Sequence, residues 1–240
     1  MSEPRAKLSN SQFKFPLPIV LALDQSWDAA EKYLDRLEAK VWGFKLGSIL
    51  YMEKGPQIID ILKSRGFKVF LDLKFHDIPN TVGRATREAF SRGVDWVTVH
   101  ASGGPEMLSA AASEQSDEQL VLSVLVLTSL NQKDLEAINI KDDLQEHFLK
   151  LAELSQNAGI KGLISSPHEL SLLRSRFPDS LLVAPGVHID EQAPDQKRSM
   201  TVSEAFERGA DFVVLGRALY GSDNWEIQWK KLCSSLGVTF

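Results

Sequence analysis

Lys68-Val69-Phe70-Leu71-Asp72-Leu73-Lys74-Phe75-His76-Asp77-Ile78-Pro79-Asn80-Thr81-Val82 reads as a strand, a charged corner and the start of a helix. Alternate side chains of an extended segment share a face. From Lys68 to Lys74, Val69, Leu71 and Leu73 therefore point one way and Phe70, Asp72 and Lys74 the other. The apolar set suits packing beneath a helix, while the charged pair ends the opposite face. Folding alone does not ask for two carboxylates and an ammonium where an apolar strand gives out. Unit charges about 4 Å apart interact by roughly 4 kcal/mol at an effective dielectric near 20, so such a cluster biases both protonation and the charge of a ligand. The plainer alternative is a surface Asp/Lys pair worth about 0 to 1 kcal/mol.

Working outward, the same alternation recurs along the chain. Strand-like runs fall at Ile19–Leu23, Val41–Leu46, Lys68–Lys74, Trp96–His100, Leu120–Leu127, Gly162–Ser165, Leu181–Ala184 and Phe212–Leu215. Helix-compatible stretches lie between them at Trp27–Ala39, Pro56–Ser64, Thr81–Arg92, Glu106–Glu114, Leu144–Gln156, Pro167–Arg176 and Val202–Arg208, with Asn224–Leu236 after the last strand. A strand and a helix about every 30 residues is the pattern of a parallel sheet, and eight such units favour closure into a single (β/α)8 barrel. A doubly wound open sheet is the alternative. Gly66, Gly93, Gly159 and Gly209 each separate a helical stretch from a strand, as helix terminators do. The longest connection, Thr128–Asp143, follows the fifth strand.

The 240 residues suit one barrel domain, which typically takes about 250. No Pro/Ser/Gly-rich linker divides them, and residues 1–16 read as a loosely held lead-in without the apolar core of a secretory signal. A net charge of -5 argues against a general binder of nucleic acid or anionic membrane. The most apolar stretch, Leu120–Leu130, falls short of the roughly 20 residues that a spanning helix needs. Cys233 has no partner for an internal disulfide, and no Cys/His spacing suggests zinc. A soluble, cytoplasmic protein is expected, with Cys233 as a packing residue.

In a barrel of this kind the active site lies at the C-terminal ends of the strands. The first strand ends at Asp24, which reads either as a site acid or as the cap of the next helix. The second carries Lys45 in Gly43-Phe44-Lys45-Leu46-Gly47, a lysine that needs a buried partner unless it snorkels to solvent. The fourth ends in His100, favoured as a barrel histidine with its hydrogen bonds satisfied over a catalytic one. The fifth leads into Thr128-Ser129, whose hydroxyls serve a ligand or simply begin a loop. Ala184-Pro185-Gly186-Val187 and Val214-Leu215-Gly216-Arg217 close the seventh and eighth strands, whose loops commonly hold phosphate in this fold. Glycine lets backbone N–H groups approach an anion, and arginine offers a fork that matches its oxygens.

The order Asp72-x-Lys74-x-x-Asp77, extended through Ile78-Pro79-Asn80-Thr81-Val82, closely resembles the signature of the orotidine 5'-phosphate decarboxylase family. The resemblance implies a cofactor-independent, metal-free decarboxylation in which Lys74 protonates C6 of the pyrimidine, Asp72 faces the departing carboxylate and Asp77 holds the lysine. It implies that Asp24 and Lys45 lie along the ribose, with Lys45 also beside the Asp-Lys cluster as a further catalytic residue, that Ile78 and Thr81 help form the substrate site and that Thr128 and Ser129 meet the pyrimidine edge. Pro185, Gly216 and Arg217 would hold the 5'-phosphate, and Gln196, in Asp195-Gln196-Lys197-Arg198, would close over it. A homodimer is implied too, with Asp77 and Thr81 reaching into the neighbouring chain.

One position departs from the pattern. Many bacterial members have an arginine just after Pro-Gly-Ile, whereas this chain reads Pro185-Gly186-Val187-His188. His188 either contacts the phosphate or leaves that role to Arg217 and the closing loop. Two rivals stand beside the decarboxylase. One is a metal-dependent sugar-phosphate decarboxylase or aldolase of the same superfamily, which would place an acidic ligand where this chain has Lys45. The other is a catalytically silent nucleotide-phosphate binder, which would lack Lys74.

Overall fold

The alternation of apolar runs and amphipathic stretches yields, in a computed structural model, eight parallel strands closed into a barrel. The structure describes residues 16–37, 39–189, 200–220 and 224–238. The barrel strands are β1 (Leu17–Ala22), β2 (Val41–Gly47), β3 (Lys68–Phe75), β4 (Trp96–His100), β5 (Leu120–Val124), β6 (Gly162–Ile164) and β7 (Leu181–Pro185). A parallel pair outside the barrel follows, β8 (Val187–His188) with β9 (Met200–Thr201), and β10 (Phe212–Leu215) closes the ring between β7 and β1. All eight strands expected from sequence are present, and the open-sheet alternative is excluded by the β10 to β1 pairing.

The two faces of each strand have separate cores. Outward side chains such as Leu21, Phe44, Val69, Leu71 and Val97 join the helices in the larger cluster. The helix Trp27–Leu37 meets it with Trp27, Ala30, Leu34 and Leu37, a stripe at helical spacing. Inward side chains Val20, Ala22, Phe70, Trp96, Leu122, Val183 and Val214 fill the barrel. Its N-terminal end is plugged by aromatic rings at strand starts: Trp42 stacks on Trp96 at 3.7 Å between centroids, and Phe212 meets Trp96 edge-on at 4.9 Å. Strands β2 and β3 approach so closely that a Cβ at Gly43 would lie 2.5 Å from the Lys68 carbonyl oxygen.

Two acids, the buried Asp95 and the half-buried Asp211, secure the same end. Asp95, just before β4, accepts from Lys63 Nζ at 2.9 Å, Lys68 Nζ at 2.8 Å and the Val69 backbone N–H at 2.7 Å. Asp211, just before β10, accepts from Arg174 Nη2 at 2.7 Å and the Leu182 N–H at 2.8 Å. They sit in the matching runs Arg92-Gly93-Val94-Asp95 and Arg208-Gly209-Ala210-Asp211, one for each. Gly66, Gly93, Gly159 and Gly209 have φ of 78°, 82°, 87° and 104°, as expected for residues that end helices.

The differences from the sequence reading have local causes. The strand expected to run to Leu127 stops at Val124, because its last partners are His100 on one side and Ile164 on the other. Leu125 stays buried without belonging to the sheet. The helix expected from Thr81 begins at Pro79, since proline is preorganised for the first helical turn. Helices at Ser48–Lys54, Gln132–Ala137 and Arg217–Tyr220 were not anticipated. The second of these lies inside the long Thr128–Asp143 connection and starts on a capping box formed by Asn131 and Asp134.

Candidate active site

The C-terminal ends of β1, β2 and β3 bring four charges into one chain of contacts. Lys45 Nζ lies 3.1 Å from Asp24 Oδ1 and 3.3 Å from Asp72 Oδ2, and Lys74 Nζ lies 2.9 Å from Asp72 Oδ1. Acid, amine, acid and amine thus alternate across three adjacent strands. Asp72 and Lys45 are each 12% exposed at the side chain, whereas Lys74 is 36% exposed and Asp24 45%, so the outer members of the chain are the accessible ones. Lys45 therefore pairs with two carboxylates, the half-exposed Asp24 and the largely buried Asp72, and does not snorkel. Asp24 does not cap the next helix, which starts three residues further on at Trp27.

Lys74 owes its position to an irregularity in β3. Leu71 pairs with Val97 and Phe75 with Val99, so Asp72, Leu73 and Lys74 together stand opposite Thr98. The strand bulges there, and Lys74 takes a φ of 52°, a left-handed conformation unusual for a residue with a Cβ. The face assignment survives, since Leu73 and Phe75 pack on the outer core while Asp72 and Lys74 meet inside the mouth. The Thr98 hydroxyl accepts from the Lys74 backbone N–H at 2.9 Å and donates to Asp72 Oδ1 at 3.0 Å.

Burial works against the Asp72 carboxylate, but the Lys45 and Lys74 ammonium groups, with hydrogen bonds from Lys74 and Thr98, hold its pKa below the ordinary value. It stays ionised at neutral pH. His100 is shifted downward, first by burial and then by the charges of His76 and Lys74; its ring lies 5.5 Å from that of His76. The imidazole is thereby kept neutral.

The other sequence-selected residues occupy the rim. Asp77 is exposed, and its Oδ1 accepts from the Ile78 N–H at 2.6 Å; among the described residues it makes no ion pair with Lys74 within its own chain. Ile78 is 65% exposed, and Thr81, Thr128 and Ser129 are also exposed. Pro185 of β7 pairs with Val214 of β10, which brings the Pro185-Gly186 and Gly216-Arg217 corners side by side. Gly186 has a φ of 77° with open space where a Cβ would be, and Arg217 is exposed. His188 sits in β8 opposite Thr201, and its Nδ1 is buried without a hydrogen-bond partner among the described residues. Gln196 lies outside the described residues.

Three neighbours of the site escaped the sequence reading. Thr98 was detectable, as a polar residue at the inward alternation Trp96, Thr98, His100 of a buried strand. A Cβ at Gly47 would lie 3.0 Å from Asp24 Oδ1, so that glycine leaves room for the Asp24–Lys45 contact. The Tyr220 hydroxyl is buried beside Gly216, with its pKa raised first by burial and then by the Asp24 charge; nothing in the sequence pointed to it.

A closed parallel barrel with alternating acids and amines at its C-terminal mouth, next to paired Pro-Gly and Gly-Arg corners, defines a barrel enzyme for a small anionic substrate. The chain belongs to the orotidine 5'-phosphate decarboxylase / HUMPS family, whose sequence pattern matches residues 17–232. It is 42% identical over 225 residues to an orotidine 5'-phosphate decarboxylase of Idiomarina loihiensis, covering 91% of this chain and 97% of that protein. A Nostoc orotidine 5'-phosphate decarboxylase is 40% identical over 230 residues, covering 91% and 96%. The crystal structure of orotidine 5'-phosphate decarboxylase from Lactobacillus acidophilus superimposes with a TM-score of 0.80 at 29% identity, covering 92% of this chain and 99% of that one.

Proposed function

We infer that this chain, acting as one barrel domain, converts orotidine 5'-phosphate to uridine 5'-phosphate and carbon dioxide, the last step of de novo UMP synthesis. The observation that carries the reading is the placement of the Lys74 ammonium 2.9 Å from Asp72, at the open mouth of a barrel of this family. Breaking the bond from C6 to the carboxylate leaves an electron pair in the plane of the ring, where the pyrimidine cannot delocalise it. A fixed positive charge at that point stabilises the pair as it develops. Lys74 supplies the charge and then the proton to C6, while Asp72 faces the carboxylate that leaves. No prosthetic group takes part in this scheme.

The remaining assignments follow the mouth. Asp24 and Lys45 take the ribose, Thr128 and Ser129 the pyrimidine edge, and Ile78 borders the ring. Pro185, His188, Gly216 and Arg217, with Gln196 closing over them, take the phosphate. Contacts there act on a remote carbon by driving closure, so phosphate binding energy is expressed in the transition state. The working form is a homodimer in which Asp77 and Thr81 enter the partner's site. In support, Asp77 is not engaged by Lys74 within its own chain, and Ile49, Met52 and Ile78 are exposed on the β2 and β3 connections at the mouth. A cytoplasmic location fits a soluble biosynthetic enzyme; among the described residues no helix is long and apolar enough to cross a membrane.

The metal-dependent alternative within the superfamily is disfavoured by Lys45. Its ammonium sits between Asp24 and Asp72, where a cation would need those oxygens for itself. The deciding experiment is an assay of the unmodified protein on orotidine 5'-phosphate, following loss of orotate absorbance with and without a chelator of divalent metals. Turnover unaffected by the chelator is expected. Abolition by metal removal, or no turnover on this nucleotide, would overturn the reading.

A further inference from the structure

The bulge in β3 sets three residues against one. Asp72, Leu73 and Lys74 occupy the space that a regular ladder gives to the single partner of Thr98. A lysine in the left-handed region is disfavoured by its own Cβ and persists only where its surroundings over-determine it. The Thr98 side chain provides that constraint. It is 1% exposed, and its hydroxyl accepts from the Lys74 N–H while donating to Asp72 Oδ1. Lys74 Nζ binds that same Oδ1, leaving Oδ2 to Lys45. One hydroxyl thus ties the backbone that carries the amine to the carboxylate that aims it.

We propose that Thr98 is a positioning residue for decarboxylation: its hydroxyl fixes the Lys74 backbone in the bulge and the Asp72 carboxylate in the orientation that presents the ammonium to C6. Thr98 acts through the other two and does not touch the substrate. The proposal rests on the assignment of Lys74 and Asp72 as the reacting pair. Valine has the shape of threonine without the hydroxyl, so Thr98→Val keeps the packing of β4 and removes both hydrogen bonds.

The test compares Thr98→Val, Thr98→Ser and Lys74→Ala on orotidine 5'-phosphate. Displacing a catalytic group by about 1 Å can lower rate by roughly 100-fold, so Thr98→Val is expected to lose about 10- to 100-fold in kcat. Its KM and its affinity for uridine 5'-phosphate stay within about threefold, because this hydroxyl contributes alignment more than uniform binding. Serine restores the hydroxyl and is expected to recover kcat to within about fivefold of the unmodified enzyme. The acid limb of kcat moves to higher pH in Thr98→Val, since Asp72 has lost a donor while Lys45 from β2, Lys74 from β3 and His100 from β4 still face it. Should the valine variant fail to fold, Thr98→Ala gives the same readout. An unchanged kcat in Thr98→Val, whatever its melting temperature, overturns the proposal, as does a serine variant as slow as the valine one. Turnover surviving in Lys74→Ala would bring down the reacting pair itself; its loss there with full activity in Thr98→Val brings down the role of Thr98 alone.

Discussion

The two ends of the barrel hold nearly the same ionic cluster. At the N-terminal end Asp95 accepts from two lysines, Lys63 and Lys68, and from a backbone N–H. At the C-terminal end Asp72 pairs with two lysines, Lys45 and Lys74, and accepts from a threonine hydroxyl. An acid between two amines is therefore no mark of catalysis by itself. The difference lies in what stands next to each. Asp95 ties β3 to the start of β4 beside an end plugged by Trp42, Trp96 and Phe212, so its charge is consumed by the fold. Asp72 stands at the unplugged end, on a bulge that turns one of its amines toward solvent, where a ligand can reach it.

The contrast predicts opposite responses at the two ends. The largest effect is expected from Lys74→Ala, which should lose more than about 1000-fold in kcat while still binding uridine 5'-phosphate, because in the proposed mechanism it removes the developing-charge partner and the proton source together. Steady-state rates with calorimetric binding of the product check this; turnover near that of the unmodified protein would erase the distinction between the ends. Next comes Asp95→Asn, which keeps an acceptor for Val69 but loses the charge that answers Lys63 and Lys68. Because both lysines reach solvent, a loss of about 1 to 3 kcal/mol in stability is expected. It should appear in denaturant midpoints, with kcat left as it was; a large fall in kcat without a fall in stability would contradict the structural role.

The smallest effect sharpens the comparison at the mouth. The pKa of His100 lies below its ordinary 6.5 in the folded chain, so the unfolded chain binds the extra proton more readily. The stability His100 contributes is complete above about pH 6.5 and is lost as pH falls through its folded value. In His100→Asn the slope of stability against pH should be shallower just below 6.5 than in the unmodified protein. Parallel slopes from urea unfolding at stepped pH would show that the neutral ring plays no such part.

Much of the fold was legible because strand and helix leave different periods in the sequence. Eight apolar runs at regular spacing sufficed for a barrel, and the glycines after the helices marked their ends without any tertiary information. Strand ends were harder to place. Leu125 is as apolar and buried as a strand residue, yet the ladder stops at Val124 because the neighbouring strands stop. At the site, Asp24, Lys45, Asp72 and Lys74 could be chosen as charged residues at the ends of apolar runs. Thr98 could not be tied to them, because its hydrogen bonds to Lys74 and Asp72 arise from a register slip between two strands.

By itself the sequence determined the periodicity that closes the barrel, the charged residues at its mouth and the family signature from Asp72 to Val82, since all of these are local in the chain. Only the tertiary structure decided which partners those charges take, that Lys74 adopts a left-handed backbone and that Asp95 lies at the plugged end of the barrel while Asp72 lies at the open one. Pairing energies and strand register depend on groups brought together from distant positions, and no local pattern encodes the distances between them.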